Sequence, residues 1–101
     1  MSSLQQIKIL DAVQLSEQHP TTFFIPTVTK CNSVHINSYI KAIFNFNDSS
    51  ERMWLQVKDV RNTDNGLEYD CILDNNPFLI KNIQLGDDVI IKPHQIIQIM
   101  K

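Results

Sequence analysis

Glycine is scarce in this chain, with two in 101 residues. So few cannot supply a glycine-rich phosphate loop or a G-x-S-x-G nucleophile elbow, so turns fall to Asn, Asp and Pro. Cysteine is equally sparse, and Cys31 and Cys71 stand far apart with no C-x-x-C spacing. His19, His35 and His94 are scattered, with no pair at i, i+4 and no cysteines at ligand spacing. That removes the usual zinc frame, so no metal and no cofactor are expected. Positive charge is not in excess either: eleven acids against nine bases give a net charge of −2. A general basic field, which nonspecific nucleic-acid binding requires, is therefore missing. No apolar run approaches the roughly 20 residues of a membrane span. MSSLQQIKIL has neither the basic leader nor the apolar block of a secretory signal. These absences predict a cytoplasmic domain with both thiols reduced, away from membranes.

What is present is ordinary globular material, 43% apolar and 20% charged. The length predicts one domain over 1–101, with a helical segment at 1–19 and a β-barrel over 20–101. Ile7, Leu10 and Val13 fit a helical stripe, although Ile7 and Ile9 also alternate. Ser3 and Gln6 have capping-box spacing, Pro20 stops the chain after His19, and the helical pattern is most regular over 10–18. TTFFIPT (21–27) reads as extended. In YIKAIFNF (39–46), Ile40, Ala42, Phe44 and Phe46 share one face, while Tyr39, Lys41, Ile43 and Asn45 share the other. NDSS (47–50) reads as a loop, ERMWLQVKDV (51–60) as a strand, RNTDNG as a loop and GLEYDCILD as a strand. Asn75-Asn76-Pro77 turns the chain into FLIK (78–81), and DVIIK with QIIQI closes it. The expected fold is mainly β: a small, strongly bent antiparallel SH3-like barrel with an N-terminal helix.

VHINSYIKA (34–42) and IQLGDDVII (83–91) share a pattern: apolar, polar, apolar, two turn residues, polar, apolar. The pattern predicts tight turns at Asn37-Ser38 and Gly86-Asp87 that feed a strand directly.

Within ERMWLQVKDV, Met53, Leu55 and Val57 alternate toward the core, which puts Trp54 on the polar face with Gln56 and Lys58. A register with Val57 opposite Tyr69, Leu55 opposite Cys71 and Met53 opposite Leu73 pairs core with core. It also sets Lys58 against Glu68, Gln56 against Asp70 and Trp54 against Ile72, favourable cross-strand pairs. A slip by two would oppose Trp54 to Asp74 and Gln56 to Ile72, a poorer set. In the preferred register Trp54 and Ile72 form an apolar patch rimmed by Lys58, Glu68, Asp70 and Asp74. Two readings compete for it. Either the N-terminal helix or Phe23–Phe24 covers it as a minor core, or it is an anchor for a partner.

Catalytic chemistry finds little footing. Cys31 with His35 lacks an orienting motif, and Cys71 falls on a core-facing position. Glu68, Asp70 and Asp74 share one strand face, where alternation places polar residues in any case. The acids make that side of the barrel a better match for a basic protein than for a nucleic acid. No enzyme activity is expected.

HPTTFFIP, YIKAIFNF, ERMWLQV, LDNNP, LGDDV and KPHQIIQI stand in an order that resembles a bacterial family of small domains. These are uncharacterised YegJ-like domains, related to immunity-protein domains of polymorphic toxin systems. ERMW followed by LDNNP is the most specific part, and the likeness spans residues 19–99. Asn37-Ser38 and Ser50 stand where that family pattern has Gly-Asp and Gly. The resemblance implies an immunity or adaptor role without catalysis, in which the domain binds a protein and, in the immunity form, a toxin. A small-barrel nucleic-acid or ribosome-associated module is the alternative, which the net charge opposes.

Overall fold

The computed structural model describes residues 7–100. Six strands form one antiparallel sheet: β1 Lys8–Ile9, β2 Tyr39–Phe46, β3 Ser49–Thr63, β4 Gly66–Leu73, β5 Asp88–Ile91 and β6 Gln98–Met100. They run in the order β1-β2-β3-β4-β5, and β6 pairs with β2 beside β1. The sheet curls into a half-barrel. Helix α1 spans Ala12–Gln18, a single-turn helix α2 spans Val28–Cys31, and a 3-10 turn covers Pro93–Gln95. The expected small, mainly β barrel with one substantial helix is the observed architecture.

The core fills the concave side. Ile40, Ala42, Phe44, Leu55, Val57, Tyr69 and Leu73 are closed to solvent, as the period-two alternation of β2, β3 and β4 requires. Each large side chain there contributes roughly 1.5–3 kcal/mol of burial. Cys71 belongs to this cluster. The Tyr69 hydroxyl donates to the Cys31 carbonyl at 2.6 Å and accepts from the Val34 N–H at 3.3 Å, which ties α2 to the core.

The shared pattern at 34–42 and 83–91 has a structural counterpart. Asn37 and Gly86 both take positive φ, 75° and 91°. Ser38 N–H bonds the His35 carbonyl and Asp87 N–H bonds the Gln84 carbonyl. Asn37 and Ser38 then clasp both backbone groups of Val57, as Gly86 and Asp87 clasp those of Leu73. One turn is thus used twice to launch a strand beside its partner.

Four expectations need correction. The helical segment does not fill 1–19: Lys8–Ile9 pairs with Asn45 and Phe44, and the helix starts only after Asp11, whose carboxylate accepts the Gln14 N–H. The alternation of Ile7 and Ile9 was the operative signal there, and the Ser3–Gln6 capping spacing lies outside the described residues. The stretch TTFFIPT, read as extended, begins as a turn, with the Thr22 and Phe23 N–H groups both on the His19 carbonyl; its extended end at Thr27 caps α2, the side chain accepting the Lys30 N–H. Over 78–81 no strand forms, because the Glu51 carboxylate takes the N–H groups of Phe78, Leu79 and Ile80 at 2.6, 2.9 and 3.1 Å.

The β3–β4 register is the fourth correction. Leu55 faces Leu73, Gln56 faces Ile72 and Val57 faces Cys71; past a bulge at Lys58, Asp59 faces Asp70, Val60 faces Tyr69 and Arg61 faces Glu68. This is the slip by two that cross-strand pairing disfavoured. RNT joins the strand instead of the loop, so a two-residue turn at Asp64-Asn65 closes the hairpin and draws the register along. The extra residue at Lys58 brings Val60 round to the core side, opposite Tyr69.

Candidate functional site

The convex face of the sheet falls into two halves. Toward one end, Leu10 N–H bonds the Ile43 carbonyl and Ile97 N–H bonds the Lys41 carbonyl, fixing the segments that lead to α1 and β6. Ala12, Ile43 and Ile97 form a second buried cluster, joined by Leu10, Leu15, Phe23 and Ile25. Phe23 also lies under the guanidinium of Arg52, 5.6 Å from ring centroid to carbon. Helix α1 has seven residues, so its cover ends there.

The other half is open. One cross-strand row runs Met100, Tyr39, Gln56, Ile72 and Asp88 over five strands. The neighbouring row carries Gln98, Lys41 and Trp54, and Trp54 lies opposite Asp74 through the bond from Asp74 N–H to its carbonyl. Trp54 belongs to neither buried cluster. Its ring, partly buried, sits beneath the Lys41 ammonium at 4.8 Å, and its backbone N–H donates to the Asn75 side chain. Neither the helix nor Phe23–Phe24 covers it: Phe23 serves the other cluster and Phe24 is 76% exposed.

The six residues singled out in the sequence separate into two groups. Trp54, Ile72, Lys58 and Asp74 do share the open half. Ile72 is diagonal to Trp54 instead of opposite it, because Gln56 takes the opposite position. Lys58 sits in the bulge without a paired residue, and with Ile72, Asp88 and Ile90 it lines a shallow depression. Glu68 and Asp70 are not a free acidic rim. Arg61 grips Asp70 through Nε and Nη2 at 2.8 and 2.7 Å and reaches Glu68 at 3.2 Å. The guanidinium bonds hold the Asp70 carboxyl below its usual range, while the pair holds Arg61 more firmly protonated. The expected acidic side is accordingly weakened, since Arg61 offsets one of the two carboxylate charges, and Lys41 and Lys58 lie on the same face as Asp74 and Asp88.

Arg61, Tyr39, Gln56, Asp88 and Ile90 were missed. The signal for Arg61 lay in the loop RNTDNG, where the spacing to Glu68 and Asp70 becomes a cross-strand triad once the turn is two residues long. No family model, curated protein or solved structure matches this chain. The face is therefore judged on its own chemistry.

The two thiols of the chain are set by their burial. Burial, with the nearby Asp70 charge, pushes the Cys71 thiol up to about 12. Burial also raises Cys31, whose thiol points to the Pro26 carbonyl at 3.9 Å, while His35 is exposed. Both thiols are protonated at neutral pH and so weak nucleophiles. Among the described residues no three His, Cys, Asp or Glu side chains converge as a metal site. No helix of the described chain is long and apolar enough to cross a membrane.

Proposed function

We propose that this chain is a non-enzymatic protein-binding domain and that the open half of its convex face is the binding surface. The observation that carries the reading is the unequal cover. One face of one sheet is sealed at Ile43 and Ile97 and only partly covered at Trp54, Tyr39 and Ile72. A partly buried tryptophan, flanked by aliphatic groups and charges of both signs, has the composition of an interface centre with a polar rim. Because Arg61 occupies Glu68 and Asp70, the matching partner presents an apolar pocket with mixed polar groups, not a strongly basic surface. In the form implied by the motifs ERMW and LDNNP, the partner is a toxin and binding covers its active site.

Co-purification from the native host, followed by affinity measurement on the recovered partner, tests this reading. Trp54→Ala and Ile72→Asp abolish recovery, and Gln14→Ala, on the exposed side of α1, leaves it intact. A partner held equally by all three variants would place the interface elsewhere. For the immunity form, co-expression with a toxin encoded by a neighbouring reading frame restores growth, and Trp54→Ala loses that protection.

A further inference from the structure

A cavity of about 420 Å³ lies between α1, α2, the β3–β4 turn and the 3-10 turn. Its volume falls in the range of roughly 300–1,000 Å³ typical of small-molecule sites. Val13, Ile25 and Leu67 supply an apolar interior, and the mouth carries Lys92, His94, Asn32 and Asn65. None of the described lining residues is acidic. Lys92 forms no ion pair among the described residues, where Arg61 makes both of those present. Its backbone is nevertheless fixed, since Lys92 N–H donates to the Gln95 side chain at 2.8 Å and Gln95 in turn reaches the Ile9 carbonyl. A cation on a fixed turn, lining a mostly apolar hole, selects for a ligand with one negative end.

We propose that this cavity binds a small apolar molecule carrying a single carboxylate, with its chain against Val13, Ile25 and Leu67 and its carboxylate at Lys92. His94 and the amides of Asn32 and Asn65 furnish further donors at the mouth. The site is separate from the Trp54 surface: the two have no residue in common, so either can fail alone.

Calorimetric titration with decanoate and with decylammonium tests the inference. Decanoate binds saturably at one site, and decylammonium binds at least about tenfold more weakly, the usual worth of one charged hydrogen bond. Lys92→Gln lowers decanoate affinity by about tenfold while leaving the melting temperature of the unliganded protein unchanged. Val28→Glu, at a rim position 69% exposed, places a like charge at the mouth without touching the core and abolishes binding. Equal binding of the two probes, indifference to Lys92→Gln, or no saturable decanoate binding would overturn the proposal.

Discussion

The covered and open halves of the convex face meet on β2, yet they hold different side chains. At the covered end Ile43 and Ile97 are nearly dry beneath Ala12 and Leu15, with Phe23 at the edge. At the open end each large group has polar company: Trp54 under Lys41, Ile72 beside Gln56, and Ile90 near Lys58. The difference shows how a short helix divides a sheet face into structure and surface. Residues beneath the helix are sealed from water, and those beyond it are partly covered and keep polar neighbours.

The sharpest way to break this contrast is stability. Ile43→Ala should cost about 2–4 kcal/mol in chemical denaturation, as for other buried aliphatic truncations. Trp54→Ala should cost about 1–2 kcal/mol, from the partly buried ring and its cation–π contact. Equal losses would make Trp54 a core residue and dissolve the distinction. Partner affinity should show the reverse order. Trp54→Ala should weaken binding by at least about 30-fold, in the range of interface anchors, and a conservative Ile43→Val should leave binding within about twofold.

Much of this contrast was legible in the residues, and the reason is periodicity. Alternation placed Ile40, Ala42, Phe44, Met53, Leu55 and Val57 inside and Trp54 outside, because side-chain direction depends only on parity along a strand. The turns at Asn37 and Gly86 were legible too, since both need a residue that tolerates positive φ. Register was not. It depended on a bulge at Lys58 and a two-residue turn, and neither changes local composition. The choice of cross-strand pairs ignored Arg61, whose grip on Glu68 and Asp70 offsets the unfavourable facing of Asp59 and Asp70. Helix α2 was hidden because four residues are too few to show a helical period. The cover over Ile43 also escaped prediction, since only the three-dimensional path shows where α1 lands.

A smaller effect concerns Glu51, at the far end of β3 from the bulge. Partial burial works against its ionisation, but the three N–H donors from 78–80 and the Lys81 charge outweigh it, so its pKa is lowered. A carboxyl with a lowered folded pKa adds stability above its unfolded pKa and loses it as pH falls through the folded value. Asp70 shifts the same way through Arg61. Stability should therefore decline on acidification through the carboxylate range. Glu51→Gln should reduce that decline and cost about 1 kcal/mol at neutral pH, a figure discounted for the solvent around the carboxylate. An unchanged acid profile in this variant would mean that the 78–80 segment is held by other contacts.

Trp54 is the single tryptophan of the chain, which makes its fluorescence a direct report on the open half. The decisive measurement is acrylamide quenching of that emission in the free protein and in the complex with the recovered partner. The account predicts ready quenching in the free protein, with protection and a blue shift on binding. Emission already protected in the free protein, or quenching unchanged in the complex, would contradict it.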